Sequence, residues 1–75
     1  MNDAETGEAE DRLVKLVHDL RTPLTIVTGF AELLSRQRDT LTEEQRESYI
    51  GRIAAAAKEM GEILDAERDD RLSGH

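Results

Sequence analysis

The chain has 75 residues, 36% of them charged, with a net charge of −7 at pH 7 and only Phe30 and Tyr49 as aromatics. A chain of this length makes one small domain with little core of its own. Its acidic balance removes the usual electrostatic basis for binding nucleic acid or anionic membranes. The absence of cysteine excludes disulfides and thiolate metal sites and fits a reducing compartment. No apolar run approaches the roughly 20 residues of a membrane span, and the acidic start MNDAETGEAED is unlike a signal peptide. A mixture rich in Ala, Leu, Glu and Arg favours long helices over a sheet. The expectation is therefore a cytoplasmic, all-α protein that works through other proteins.

Residues 1–8 are polar, contain Gly7 and show no periodicity, so they read as a flexible start. From Ala9 a heptad emerges. Leu13, Leu20, Val27 and Leu34 repeat every seven residues (position a), with Leu16, Pro23 and Phe30 at d and Val17, Leu24 and Ala31 at e. Three apolar positions in seven form the wide stripe of a bundle helix, not a two-stranded coiled-coil seam. Beyond Pro23 the stripe widens, because Ile26 and Leu33 add a column where the preceding turn has Asp19. The pattern predicts helix one over about 9–38, ending with Arg36 and Arg38 at the negative end of its dipole.

The connection Asp39–Thr42 is short enough to make the next helix an antiparallel neighbour. Thr42 followed by Glu43-Glu44-Gln45 is a capping-box start, and Leu41 just before it is expected to tuck under the bundle end. Helix two is predicted over about 43–68. Ile50, Ala57 and Leu64 form one column and Ile53 and Met60 another, while Ala54 to Ala57 and Gly61 are small enough to let helices approach closely. Glu32 with Arg36 and Lys58 with Glu62 have the i,i+4 spacing of solvated ion pairs. The acidic group at Glu43–Glu47 suits a helix N-terminus and reads as structural rather than metal-binding. Residues 69–75 lose the pattern and read as a flexible tail, and His75 is assigned no role.

A lone hairpin of two helices, each about 40–45 Å long, covers only one side of each stripe. Pairing two hairpins into a twofold four-helix bundle removes the exposed face. The expected architecture is thus an antiparallel two-helix hairpin that homodimerises. Leu20, Val27, Phe30, Leu34, Ile50, Ile53, Ala57 and Met60 are its candidate dimer core.

The chemically distinctive stretch is Val17-His18-Asp19-Leu20-Arg21-Thr22-Pro23-Leu24. A proline in a helix interior removes a hydrogen bond and clashes with the carbonyl four residues back, at roughly 3 kcal/mol. That carbonyl is Asp19's, beside the only histidine away from the C-terminus. On the heptad His18 falls at position f, opposite the apolar stripe, with Thr22 and Thr25 following along the same side. An imidazole facing solvent is a nucleophile near neutral pH, and a carboxylate bonded to one ring nitrogen strengthens the other. Phosphoryl transfer asks little more of an acceptor than in-line geometry and a group to take the proton.

The unbroken heptapeptide His18-Asp19-Leu20-Arg21-Thr22-Pro23-Leu24 resembles the H-box of the dimerisation and phosphotransfer domain of two-component sensor histidine kinases, the HisKA type. The resemblance spans roughly residues 9–68 and implies a helical hairpin that dimerises into a four-helix bundle. It implies that His18 is the phosphoacceptor, taking the γ-phosphoryl of ATP and passing it to an aspartate of a response-regulator receiver. Asp19 would be the acid/base partner, Thr22 would position water for a phosphatase reaction, and Pro23 would be a hinge. Past His18 the outward-facing Thr22, Thr25, Thr28 and Gly29 are all small, and this flat patch, with Arg21 and part of helix two, is expected to dock the receiver. Two departures stand out. Family members commonly carry Ser immediately before the histidine and an aromatic about six residues before it, where this chain has Val17 and Arg12.

No Gly-rich nucleotide loop, asparagine box or P-loop occurs in these residues. No cofactor is expected to bind this chain. ATP and Mg²⁺ would come on a separate catalytic domain, and the chain, although part of a histidine kinase system, would not be autonomously active. The Met1 start is compatible with a short stand-alone protein, as well as with a piece of a larger kinase. The competing reading is a stand-alone, non-catalytic adaptor that dimerises with a kinase or inhibits it. A monomeric-type phosphotransfer protein is disfavoured, because such proteins typically carry Lys-Gly soon after the histidine, where this chain has Arg21-Thr22-Pro23.

Overall fold

The computed structural model describes the backbone of residues 3–73 and the side chains of Gly7 and residues 9–68. Two helices, α1 (Asp3–Arg36) and α2 (Glu43–Ser73), pack side by side as an all-α hairpin with no strand among the described residues. The molecule is a rod of 58 × 21 × 11 Å. Both helices outrun their expected limits at the open end: α1 starts at Asp3 rather than near Ala9, and α2 continues to Ser73 rather than stopping near Arg68. The extensions lack a hydrophobic period, which is why the pattern missed them. Residues 1–2 and 74–75 of the expected flexible ends lie outside the described residues.

The closed end is fixed by hydrogen bonds rather than burial. Helix α1 stops at Arg36, two residues before the expected end, where the chain turns on one carbonyl. Gln37 O accepts from Thr40 N at 2.9 Å, Leu41 N at 3.0 Å and Thr40 Oγ1 at 3.1 Å. The capping box forms as expected: Thr42 N donates to Gln45 Oε1 at 3.0 Å, and Gln45 N donates to Thr42 Oγ1 at 3.1 Å. Arg46 then donates through Nη2 to Arg38 O at 3.0 Å, tying the first turn of α2 to the loop. Leu41 is half-buried.

One aromatic pair sets the register of the hairpin. The rings of Phe30 and Tyr49 lie 5.2 Å apart, tilted at 48°, and the Arg52 guanidinium stands 5.6 Å over the Phe30 ring. Antiparallel helices in that register bring Pro23 level with Ala56, Leu16 level with Ile63 and Arg12 level with Glu67. A groove lined by Arg12, Leu16, Ile63 and Glu67 agrees with the last two pairings. Pro23 and Ala56 are the buried side chains, Ala56 at 5% exposure. A buried proline ring and a small apolar residue thus share one level of the seam.

Around that point Leu16, Leu20, Val27, Phe30 and Leu34 of α1 and Tyr49, Ile53, Met60 and Ile63 of α2 are half-buried. The seam therefore uses columns a and d of α1. Column e is left outside, with Val17 47% and Leu24 49% exposed, as are Leu13 at 61%, Ile50 at 52% and Leu64 at 49%. Ala56 provides the close approach expected of the small residues; Gly61 does not, since a Cβ placed there would meet nothing within 4 Å. Neither expected surface pair, Glu32–Arg36 or Lys58–Glu62, closes within ion-pair distance among the described residues. All four side chains are exposed, where ordering two long side chains offsets most of the Coulomb gain.

The hairpin exposes 6287 Å². A compact monomer of 8.4 kDa exposes about 4,600 Å², so the excess is roughly 1,700 Å². The uncovered e column and the Ile50, Ala57 and Leu64 line supply its apolar part.

Candidate functional site

His18 sits midway along the outer side of α1, on the last residues before the helix meets Pro23. Its side chain is 82% exposed, with Nδ1 3.5 Å from Oδ1 of Asp19, whose side chain is 41% exposed. Adjacent residues on a helix point about 100° apart, so an i,i+1 pair meets only through side-chain torsions. A separation of 3.5 Å is beyond a good N–H···O hydrogen bond. The carboxylate is poised beside the imidazole without holding it. The arrangement still distinguishes the two ring nitrogens: Nδ1 faces Asp19, and Nε2 has no partner among the described residues.

The backbone under this turn is altered by Pro23, which cannot donate to Asp19 O. Two residues later Thr25 Oγ1 donates to Arg21 O at 2.8 Å, a back-bond that commonly bends helices. Thr25 thus spends its hydroxyl proton on the backbone. Helix α1 nonetheless runs unbroken through both residues.

The expected docking residues Arg21, Thr25, Thr28 and Gly29, and the expected water-positioning Thr22, are all exposed. Leu24, Thr25, Thr28, Gly29 and Glu32 line a shallow depression, and nothing lies within 4 Å of a Cβ built on Gly29. Thr22 follows His18 by one turn, so the histidine, the threonine and this depression share one face of α1.

Of the eight candidate dimer-core residues, Leu20, Val27, Phe30, Leu34, Ile53 and Met60 are half-buried along the seam within one hairpin, whereas Ile50 and Ala57 face out. Two neighbours of His18 escaped attention in the sequence. Val14, 68% exposed, and Lys15 occupy the turn immediately before it. Their i−4 and i−3 spacing was the signal that could have singled them out.

The class the fold and site define is a helical hairpin with an uncovered apolar stripe and a solvent-facing histidine beside a carboxylate on its outer side. Comparison with known families gives the particular family. The family model described as the His Kinase A (phospho-acceptor) domain matches residues 11–69, and the chain belongs to that family. Among curated proteins it is similar to the sensor histidine kinase YcbM of Bacillus subtilis (strain 168), 28% identical over 64 residues that cover 84% of this chain and 20% of that protein. The chain thus spans a fifth of the length of that relative. No solved structure matches the chain. No helix among the described residues is long and apolar enough to cross a membrane.

Proposed function

We propose that this chain is the phosphoacceptor and dimerisation module of a two-component histidine kinase, with His18 as the phosphorylated residue. The observation that carries the reading is His18 itself, 82% exposed with its Nδ1 turned toward Asp19 in a residue run that matches the family. The free Nε2 lone pair attacks the γ-phosphorus of ATP held by a separate catalytic domain. The N–P bond forms as the bond from phosphorus to the β,γ-bridging oxygen breaks, and ADP leaves. The proton on Nδ1 would otherwise leave the ring cationic; Asp19 takes it, after a torsional change closes the 3.5 Å gap. In the second transfer a receiver aspartate attacks the phosphorus, the N–P bond breaks, and Nδ1 recovers its proton. Thr22, one turn along the same face, orients water for the phosphatase reaction.

Two copies pair through the apolar residues left outside the seam: Val17 and Leu24 on α1, and Ile50, Ala57 and Leu64 on α2. The excess surface of roughly 1,700 Å² per chain is of the size that obligate dimers bury. The face from Thr25 to Gly29 receives the receiver domain, and the assembly works in the cytoplasm.

The test is incubation with the cognate ATP-binding domain and labelled ATP, comparing wild type with His18→Gln. Acid-labile label on the wild type and none on the variant is expected. Label that persists in His18→Gln overturns the reading. A wild type that dimerises yet is never labelled by its cognate domain points instead to the adaptor.

A further inference from the structure

The charge balance of the chain reverses around His18. Residues 12–31 carry Arg12, Lys15 and Arg21 against Asp19 alone, a net of +2, while the whole chain carries −7. Lys15 precedes His18 by three residues and Arg21 follows it by three, so both are its neighbours on the helix surface. Helical side chains lean toward the N-terminus, which lays the His18 ring over the turn that holds Val14 and Lys15. Lys15 is exposed and opens onto a groove of about 390 Å³ shared with Arg12, Asp19 and Glu67. The charged groups that line this groove with it are Arg12 and Asp19 on its own helix and Glu67 on α2, and Asp11 lies four residues before it on the same helix face.

We propose that Lys15 is a positioning residue for the phosphoryl group carried by His18. This rests on the phosphoacceptor reading and adds a residue to it. Before phosphorylation Lys15 shares its groove with two carboxylates. A phosphoryl dianion on Nε2 is a stronger counter-charge, and the flexible four-carbon stem of lysine lets the ammonium follow it. By holding that charge Lys15 favours the dianionic form of phosphohistidine and retains the group in one orientation for the partner that removes it. Arg21, on the opposite flank, faces the turn that also holds Thr22 and the incoming receiver.

The experiment uses the 75-residue chain and phosphoramidate as the phosphoryl donor. Nε2 forms a bond to phosphorus, the donor's P–N bond breaks, and ammonia leaves carrying the imidazole proton. The phosphoryl group is then titrated by ³¹P NMR at low ionic strength in wild type, Lys15→Gln, Lys15→Arg and Lys58→Gln, each checked for helix content by circular dichroism. One cation at about 6 Å from one added negative charge in water is worth roughly a threefold change in acid constant, about half a pH unit. Lys15→Gln should raise the midpoint of the last phosphoryl ionisation by that amount. Lys15→Arg and Lys58→Gln should match wild type, and about 0.5 M salt should erase the difference. A Lys15→Gln midpoint equal to wild type overturns the assignment of Lys15 while leaving His18 as acceptor. Absence of any phosphohistidine signal at His18 in the wild type overturns the acceptor reading and this assignment together.

Discussion

Gly29→Ala separates stability from docking at one position. Gly29 lies inside α1 with an ordinary negative φ, and a Cβ built on it meets nothing within 4 Å. No feature of the hairpin requires glycine there. Glycine in a helix interior is about 0.8–1.0 kcal/mol less favourable than alanine, and the gain from substitution comes largely from the smaller conformational freedom of the unfolded chain. With an unfolding entropy of about 2.1 cal/mol/K per residue, a chain of 75 residues should melt about 5–6 °C higher. The figure holds for a dimer as well, since both the gain and the entropy double. Thermal melts by circular dichroism at fixed concentration measure it, with Gly51→Ala as a second open site expected to behave alike. A melting point that stays level or falls would show that the space beside Gly29 is filled, by a second copy or by a helix geometry that only glycine meets. The same position then reports on the receiver. Gly29→Arg should leave the fold intact and slow phosphotransfer by tenfold or more if the depression between Thr25 and Glu32 is the docking face. Unchanged transfer removes that assignment.

Three further outcomes test other parts of the hairpin. Thr42→Ala removes the acceptor of the Gln45 amide and should cost about 1 kcal/mol, read as a lower denaturant midpoint with unchanged slope; Gln45→Ala added to it should cost much less than it does alone, because the two bonds form one box. Arg52→Ala, which strips the cation from the Phe30 ring, should cost about 0.5–1 kcal/mol at this exposed site, and a loss well above that would show that Arg52 holds the seam in another way. Leu24→Asp combined with Ile50→Asp should convert the dimer to monomer in sedimentation velocity, while the wild-type melting point should rise with protein concentration; a concentration-independent melt would argue against pairing through this face.

Element types were legible because the heptad from Leu13 to Leu34 and the Thr42–Gln45 box are local signals, read within one or two turns. The ends of the helices were not, because residues 3–8 and 69–73 continue the helices past the apolar period that marks them in the sequence. The division of the apolar positions was also hidden. Periodicity shows that Ile50 and Ile53 are both apolar, but two columns about 60° apart are told apart only once a partner helix is in place. The Phe30–Tyr49 contact provides that reference. It turns Ile53 and Met60 toward α1 and leaves Ile50, Ala57 and Leu64 outside. At the site, the exposure of His18 followed from its place opposite the stripe. The separation of the pair did not: the spacing put Asp19 within reach of the ring, and only the side-chain torsions set the distance at 3.5 Å.

Pro23 draws the fold and the chemistry together. As a helix defect it costs roughly 3 kcal/mol, yet its ring is buried against α2 level with Ala56. We propose that this burial lets it act as a fulcrum more than as a loose joint. On its C-terminal side Val27, Phe30, Leu33 and Leu34 are all half-buried, and the Phe30–Tyr49–Arg52 cluster fixes the seam. On its N-terminal side only Leu16 and Leu20 among the apolar residues from Leu13 to Leu20 are half-buried, while Leu13, Val14 and Val17 stand 61%, 68% and 47% exposed, so the segment that carries His18 is held by fewer contacts. Few buried contacts mean a low cost of local movement. A tilt of the upper segment about Pro23 would change how His18 is presented while the lower seam stays packed. Pro23→Ala restores the donor to Asp19 O and removes the buried ring, so it should stiffen α1 and shift the kinase-to-phosphatase ratio of the full kinase by severalfold. An unchanged ratio, with the bundle still folded, would reduce Pro23 to a packing residue.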